Sequence, residues 1–138
     1  MKLLKSTGIL FGITFVLLSC SSAKVISTEK IEVIPGVINS ELYYRFVIEI
    51  KTTKETYFRS ISLNSYEIRS FSIIDAITNL QSDSKKLYPK GNYRLQFELP
   101  KDKVLKDKKD ILKLSIEQQG KAILLTSEVD TIKILKLR

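Results

Sequence analysis

The sequence predicts an all-β fold, an antiparallel β-sandwich of about seven to eight strands. After Glu29, apolar and polar residues alternate with a period of two, which is typical of strands with one buried and one solvated face. Turn-forming residues separate these runs about every 8–15 residues, as expected of antiparallel strands. The 138 residues, 43% hydrophobic and 28% charged, have a globular composition. We therefore predict one domain over residues 29–138.

The alternation is clearest in two runs. In residues 92–99 (NYRLQFEL), every second residue from Tyr93 to Leu99 is apolar and the residues between them are polar. Residues 42–51 (LYYRFVIEIK) alternate in the same way, with Tyr44 and Phe46 on the inward face. Further strands are predicted over residues 31–33, 56–63, 66–71, 112–117, 123–129 and 132–137.

Two segments have more than one interpretation. Residues 72–80 (SIIDAITNL) fit a short helix with Ser72 as its N-cap, and fit equally well a strand followed by a turn. Residues 101–113 form a charged connector that could hold a helical turn. Turns are predicted at Pro35-Gly36 and at Gln119-Gly120, where the pattern of alternation is interrupted.

Residues 87–97 (LYPKGNYRLQF) carry a more specific pattern, Leu-x-Pro-x-Gly-x-Tyr followed by alternating apolar residues. The segment resembles the region before and within strand F of immunoglobulin-like and fibronectin type III domains. The resemblance implies an immunoglobulin-like sandwich in which Tyr93 is a tyrosine-corner residue, its hydroxyl bonded to upstream backbone. The chain has no Trp for the fibronectin-type core, and about 40 residues follow Phe97. A sandwich elaborated by a C-terminal hairpin and an extra strand fits these departures.

The first residues have the pattern of an export signal. Lys2 and Lys5 precede ten mostly apolar residues, 9–18 (ILFGITFVLL), and the next charge is Lys24. A positive start and an apolar stretch of about 7–15 residues are typical of a secretory signal, whereas a membrane span needs about 20 apolar residues. We therefore predict a signal helix within residues 1–19.

Residues 17–20, Leu-Leu-Ser-Cys, directly follow the apolar stretch. They resemble the lipobox of bacterial lipoproteins, with Leu at position −3, a small residue at −1 and Cys at +1. The resemblance implies cleavage by signal peptidase II before Cys20 and acylation of Cys20, where two or three acyl chains would anchor the protein stably. Residues 20–28 would form a lipidated tether. Ser21 at +2, in place of the Asp that retains enteric-type lipoproteins in the inner membrane, favours the outer membrane if the cell is Gram-negative.

A plain secretory signal with a chance Cys is the alternative to a lipobox. It would leave an unpaired thiol in an oxidising compartment, because Cys20 is the single cysteine of the chain.

The composition argues against several kinds of chemistry. There is no His, which is the commonest general base and metal ligand, and one Cys can form neither an intrachain disulfide nor a Cys-based zinc site. Asp102, Asp107 and Asp110 are widely spaced and interleaved with Lys, so we expect no cation site. Three Ser-x-x-Lys patterns lack the companion motifs of penicillin-binding proteins. We expect no enzymatic activity, no cofactor and no metal.

The chain is basic, with a formal net charge of +8, or +6 without Lys2 and Lys5. Residues 101–109 are rich in Lys, and basic residues mix with aromatic ones near residue 90. Such surfaces attract anionic lipid or glycan at a membrane, although Lys also keeps strand edges soluble. We expect no nucleic-acid partner in a cell envelope. The candidate interaction surface consists of Lys85, Lys86, Tyr88, Lys90 and Arg94.

These observations lead to two functional hypotheses. The first is a membrane-anchored bacterial envelope lipoprotein, a non-enzymatic accessory or protein-interaction module whose partner is another envelope protein. The alternative is a lipoprotein that binds a glycan or small ligand through exposed tyrosines. The residues considered for that role are Tyr43, Tyr57, Tyr66 and Tyr88.

Overall fold

A computed structural model describes residues 22–82, 85–104 and 109–138. The predicted signal helix and Cys20 lie outside the described residues. The described chain is all-β, which confirms the predicted class. Its one helical element is a short 3-10 helix at Lys101–Lys103, within the connector where a helical turn was considered. The strands are β1 (Ala23–Ile34), β2 (Tyr43–Thr52), β3 (Thr56–Leu63), β4 (Tyr66–Ile68), β5 (Ser72–Asp75), β6 (Gln81–Ser82), β7 (Leu87–Tyr88), β8 (Gly91–Pro100), β9 (Ile111–Gln118), β10 (Lys121–Glu128) and β11 (Thr131–Lys136).

The strands form two sheets. The first has the order β11-β1-β2-β8-β5-β6, and the second has the order β10-β9-β3-β4, with β7 paired to β3. Buried residues of both sheets, such as Phe46 on β2 and Phe58 on β3, belong to one hydrophobic core. This arrangement is compatible with the predicted β-sandwich. The described chain has eleven strands, more than the seven or eight expected. Strands β6 and β7 have two residues each and are too short to show alternation, and β5 lies in the segment that fitted a helix equally well.

The alternating patterns place the core correctly. Tyr44, Phe46, Ile48 and Ile50 of β2 are buried, as are the apolar residues of β8 from Tyr93 to Leu99. The rings of Phe46 and Phe97, on these two neighbouring strands, stack with their centroids 5.1 Å apart. The alternation of apolar and polar residues therefore identified the buried faces of β2 and β8 correctly.

Strand β1 begins at Ala23, six residues before the predicted start of the domain. Residues 23–28 therefore belong to the first sheet and not to a tether. The register with β2 shifts between Val25 and Ser27. Because such a bulge changes which residues face the core, it removes the simple alternation by which a strand is recognised.

Strand β11 runs parallel to β1, in contrast to the antiparallel sandwich that was predicted. After β10 the chain crosses to the first sheet, where Asp130 N donates to Thr28 O and Asp130 Oδ2 accepts from Thr28 N. Strand β11 then continues beside β1 in the same direction. Alternation along a strand has the same period in either direction, so the pattern cannot distinguish the two pairings.

The segment of residues 72–80 is a strand followed by a turn, not a helix. Strand β5 pairs with β8 and places Ile73 opposite Leu95. The chain then turns at Asp75, whose carboxylate accepts hydrogen bonds from the backbone N–H groups of Ile77 and Thr78. These two bonds lower the pKa of the Asp75 carboxyl.

Tyr93 has the hydrogen bond that the resemblance implied, because its hydroxyl donates to the carbonyl oxygen of Pro89. Its ring lies 5.7 Å from that of Phe58 and 5.5 Å from that of Tyr88, between centroids. Burial raises the pKa of the Tyr93 phenol, and the nearby Asp75 and Tyr88 add to this rise.

We expect Tyr93→Phe to lower the free energy of unfolding by about 1 kcal/mol, since the Pro89 carbonyl loses its donor. Chemical denaturation measures the change. Tyr66→Phe is the control, because Tyr66 is 41% exposed. Since the phenol has a raised pKa when folded, its contribution is present below the unfolded pKa near 10 and is lost as the pH rises through the folded pKa. The variant should therefore show a weaker alkaline loss of stability. An effect no larger than that of Tyr66→Phe would contradict the role of this hydrogen bond.

Candidate functional site

We call one end of the two sheets the N-terminal rim, because the first described residue, Ser22, lies there next to the start of β1. The carbonyl oxygen of Ser22 accepts hydrogen bonds from Thr53 N at 3.0 Å and from Gln118 Nε2 at 3.2 Å. The pairs Ala23–Thr52 and Thr52–Gly91 bring β1, β2 and β8 to the same end. The rim is formed by loops at residues 53–55, 76–80 and 119–120 and by residues 85–90, which include the short strand β7.

Three members of the candidate interaction surface lie on this rim. Lys85 and Lys86 precede β7, Lys90 precedes β8, and all three are exposed. Arg94 lies farther along β8 and is half-buried, and one of its terminal guanidinium nitrogens donates to Asn79 Oδ1 at 2.7 Å. The structure therefore brings the three lysines together and holds Arg94 against the neighbouring turn.

Tyr88 belongs to the core and not to the surface on which it was predicted. It is 7% exposed, and its ring centroid lies 5.7 Å from that of Phe58. The Nζ of Lys86 lies 5.3 Å from the centroid of the Tyr88 ring. Strand β7 pairs with the start of β3, which leaves Tyr88 buried and Leu87 exposed.

The rim also exposes apolar side chains that the sequence reasoning did not include in a site. Ile77 is 79% exposed, Leu80 is 72% exposed and Leu87 is 55% exposed. The sequence did not predict the exposure of Ile77 and Leu80, because both residues would lie on the buried face if residues 72–80 formed a helix. The alternative of a strand followed by a turn at Asp75 would have predicted that Ile77 and Leu80 are exposed.

A groove of about 530 Å³ opens beside the rim. Arg59 and Glu117 line it and form an ion pair of 2.6 Å between Nη2 and Oε2. Lys85 and Leu87 line its other side together with Tyr57. Because the Glu117 carboxylate is paired with Arg59 at the mouth of an open groove, the groove has the features of a contact surface.

The tyrosines of the alternative hypothesis do not form a cluster within the described chain. Tyr57 lies near the start of β3, whereas Tyr66 is opposite Leu63 at the end of that strand, roughly 20 Å away. Tyr43 begins β2 on the other sheet, and Tyr88 is buried. A platform of adjacent exposed rings is therefore not found among these four residues.

The described part of the Lys-rich connector, residues 101–104 and 109, lies at the opposite end of the sheets. Lys101 and Asp102 line a groove there, whereas Asp107 lies outside the described residues. Asp110 is buried and accepts from Lys30 Nζ at 2.6 Å and from Asn64 Nδ2 at 2.9 Å. Asp110 thus has a structural role in an ion pair.

The described ranges contain no group of three or more His, Cys, Asp or Glu arranged to hold a metal ion. Within the same ranges, no helix has the length and apolar character needed to cross a bilayer. No protein-family model matches the chain. A search of curated proteins likewise gives no significant match.

Proposed function

We propose that the protein is a bacterial envelope lipoprotein, anchored through acyl chains on Cys20. The observation that carries this proposal is the sequence Leu-Leu-Ser-Cys at residues 17–20, directly after a basic start and an apolar stretch. Ser21 and Ser22 alone separate Cys20 from Ala23, where β1 begins. A lipidated Cys20 would therefore hold the N-terminal rim close to the membrane. Ser21 at +2 favours the outer membrane if the cell is Gram-negative.

We further propose that the domain is immunoglobulin-like. The order β1-β2-β8-β5 corresponds to strands A-B-E-D of a constant-type immunoglobulin sheet, and β10-β9-β3 corresponds to G-F-C. In this correspondence β8 takes the place of strand E, so Tyr93 would not lie in the strand F position implied by the motif. Strand β11 is the additional C-terminal strand. The support for an immunoglobulin-like domain is therefore the order of these seven strands, whereas the motif around Tyr93 covers only residues 87–97.

The proposed role of the domain is a non-enzymatic accessory or interaction module for another envelope protein. Its support is the surface away from the rim, where a groove lined by Leu42, Lys101 and Val104 and the exposed apolar side chains of Ile132 and Ile134 on β11 are open to contact. Edge strands and loops commonly provide contacts in sandwiches of this class, although the fold alone does not determine the partner.

The anchor is tested by following the processing of Cys20→Ala in cells grown with labelled palmitate. We expect the wild-type chain to incorporate palmitate and to accumulate as a precursor with globomycin, which inhibits signal peptidase II. Cys20→Ala should incorporate no palmitate, because the acylated thiol is absent. Ser22→Ala is the matched control and should be processed like the wild type. Processing that is insensitive to globomycin, or label retained by Cys20→Ala, would contradict the proposal.

A further inference from the structure

The N-terminal rim and the strand ends beside it are strongly basic. Exposed lysines from several strands and loops lie at this end of the sheets, around Ser22. They are Lys24, Lys51, Lys54, Lys85, Lys86, Lys90 and Lys121. None of them forms an ion pair with a carboxylate within residues 22–82, 85–104 and 109–138. Against these seven lysines, the rim loops carry the exposed Glu55, while Asp75 binds its own turn and Glu117 pairs with Arg59.

Two of these lysines lie directly opposite each other. Lys24 of β1 pairs in register with Lys51 of β2, and both side chains are exposed. Like charges at opposed positions of an antiparallel pair repel and destabilise the pairing. An anionic surface lying over both side chains would remove this repulsion.

Apolar side chains project among the lysines. Ile77 and Leu80 belong to the turn after β5, and Leu87 lies on β7 beside Lys86. Each is more than half exposed, with values of 79%, 72% and 55%. Basic residues mixed with exposed apolar ones are typical of protein surfaces that lie in the headgroup region of an anionic bilayer.

We propose that the N-terminal rim docks on an anionic lipid bilayer. The lysines approach the lipid phosphates, and the side chains of Ile77, Leu80 and Leu87 enter the boundary between headgroups and acyl chains. A bilayer fits this surface because its anionic groups can adjust to lysines that come from many separate segments. The inference deepens the proposed lipid anchor, which would hold this same rim at the membrane. It leaves the opposite end and the β11 edge available to a protein partner.

The orientation can be measured with one fluorophore at either end of the molecule. Leu80→Cys labels the rim, and Val37→Cys labels the loop between β1 and β2 at the opposite end; both native side chains are 72% exposed. The ten residues of β2 place the two ends about 30 Å apart. The full-length lipidated protein is reconstituted into phosphatidylcholine vesicles with or without phosphatidylglycerol, and energy transfer to a headgroup acceptor is recorded.

We expect transfer from position 80 to exceed that from position 37 and to be stronger in vesicles with phosphatidylglycerol than in pure phosphatidylcholine, with high salt removing this gain. Because a lipidated Cys20 alone already brings the rim near the bilayer, transfer from position 80 that does not change with phosphatidylglycerol or with salt would overturn the proposal, as would stronger transfer from position 37.

The lysines are tested by Lys85→Gln/Lys86→Gln/Lys90→Gln. The matched control is Lys101→Gln/Lys113→Gln/Lys136→Gln, which removes the same charge from exposed positions away from the rim. A lysine near an anionic surface strengthens binding about fivefold, so three should contribute on the order of 100-fold. Both triple variants are compared in the full chain carrying Cys20→Ser, added to preformed anionic vesicles. We expect a large loss of binding for the rim variant alone, and equal losses for both would overturn the proposal.

Failure of the anchor has a different signature. A wild-type protein without acyl chains would not float with neutral vesicles, yet its rim would still bind anionic vesicles in a salt-sensitive manner. Conversely, an anchored protein without rim docking would float with both kinds of vesicle, and its transfer from position 80 would not depend on phosphatidylglycerol or on salt.

Discussion

Replacing Asp110 with alanine is expected to lower the free energy of unfolding by about 3–5 kcal/mol. Lys30 and Asp110 are 7% and 4% exposed, and Lys30 Nζ lies 2.6 Å from Asp110 Oδ2. Without the carboxylate, the Lys30 ammonium would remain buried beside the ring of Tyr44, 4.8 Å from its centroid. Asn64 would also lose the acceptor of its side-chain hydrogen bond. The destabilisation therefore arises mainly from an uncompensated buried charge.

Urea denaturation of the wild type, Asp110→Ala and Glu29→Ala measures this effect. Glu29 forms an ion pair of similar length, 2.9 Å, with Lys133, whose side chain is 56% exposed. Because solvent screens that pair, Glu29→Ala should cost less than about 1 kcal/mol. The double variant Lys30→Met/Asp110→Leu should recover much of the loss, since it removes both charges. Equal effects of Asp110→Ala and Glu29→Ala would show that burial does not govern the Lys30–Asp110 pair.

Phe58→Ala is expected to destabilise the fold by about 3–5 kcal/mol. Phe58 lies on β3 of the second sheet, is 0% exposed, and contacts the Tyr93 ring of the first sheet. Its ring also packs against Tyr88, with 5.7 Å between centroids. Loss of the benzyl group would leave a cavity between the sheets, which adds to the lost transfer free energy of the side chain.

Thermal and urea unfolding of Phe58→Ala, Phe58→Leu and Leu124→Ala distinguish cavity formation from a general loss of apolar surface. Phe58→Leu keeps part of the volume and should cost less than Phe58→Ala. Leu124 is 62% exposed on β10, so Leu124→Ala should change stability by about 0.5 kcal/mol or less. A loss for Phe58→Ala as small as that for Leu124→Ala would exclude an essential packing role.

The sequence was most informative where a strand is regular and has one buried face. Strands β2 and β8 met these conditions, so Phe46 and Phe97 could be assigned to the core before the structure was known. Strand β1 did not, because its bulge interrupts the alternation and its inward face carries Lys30. Lys30 is neutralised by Asp110, a residue 80 positions away, and local patterns contain no information about such a pairing.

The candidate interaction surface was also only partly predictable, because local sequence does not show which distant segments come together. Lys85, Lys86 and Lys90 are close in sequence and were expected on one surface, and all three are exposed. Lys24, Lys51 and the other rim lysines come from distant segments, and only the sheet pairing brings them to this end. Tyr88 was assigned to the surface because a strand of two residues is too short for its inward side to be recognised.

The parallel pairing of β1 with β11 has a consequence for the time course of folding. Glu29 lies opposite Thr131, so strands near the two termini are neighbours in one sheet. Chain closure over such a sequence separation is slow, because its entropy is lost before the pairing is gained. During synthesis, the first sheet therefore lacks β11 until residues 131–136 have been made. Until then the outer edge of β1 stays unpaired over residues 29–34, and an exposed strand edge of this kind is prone to aggregation.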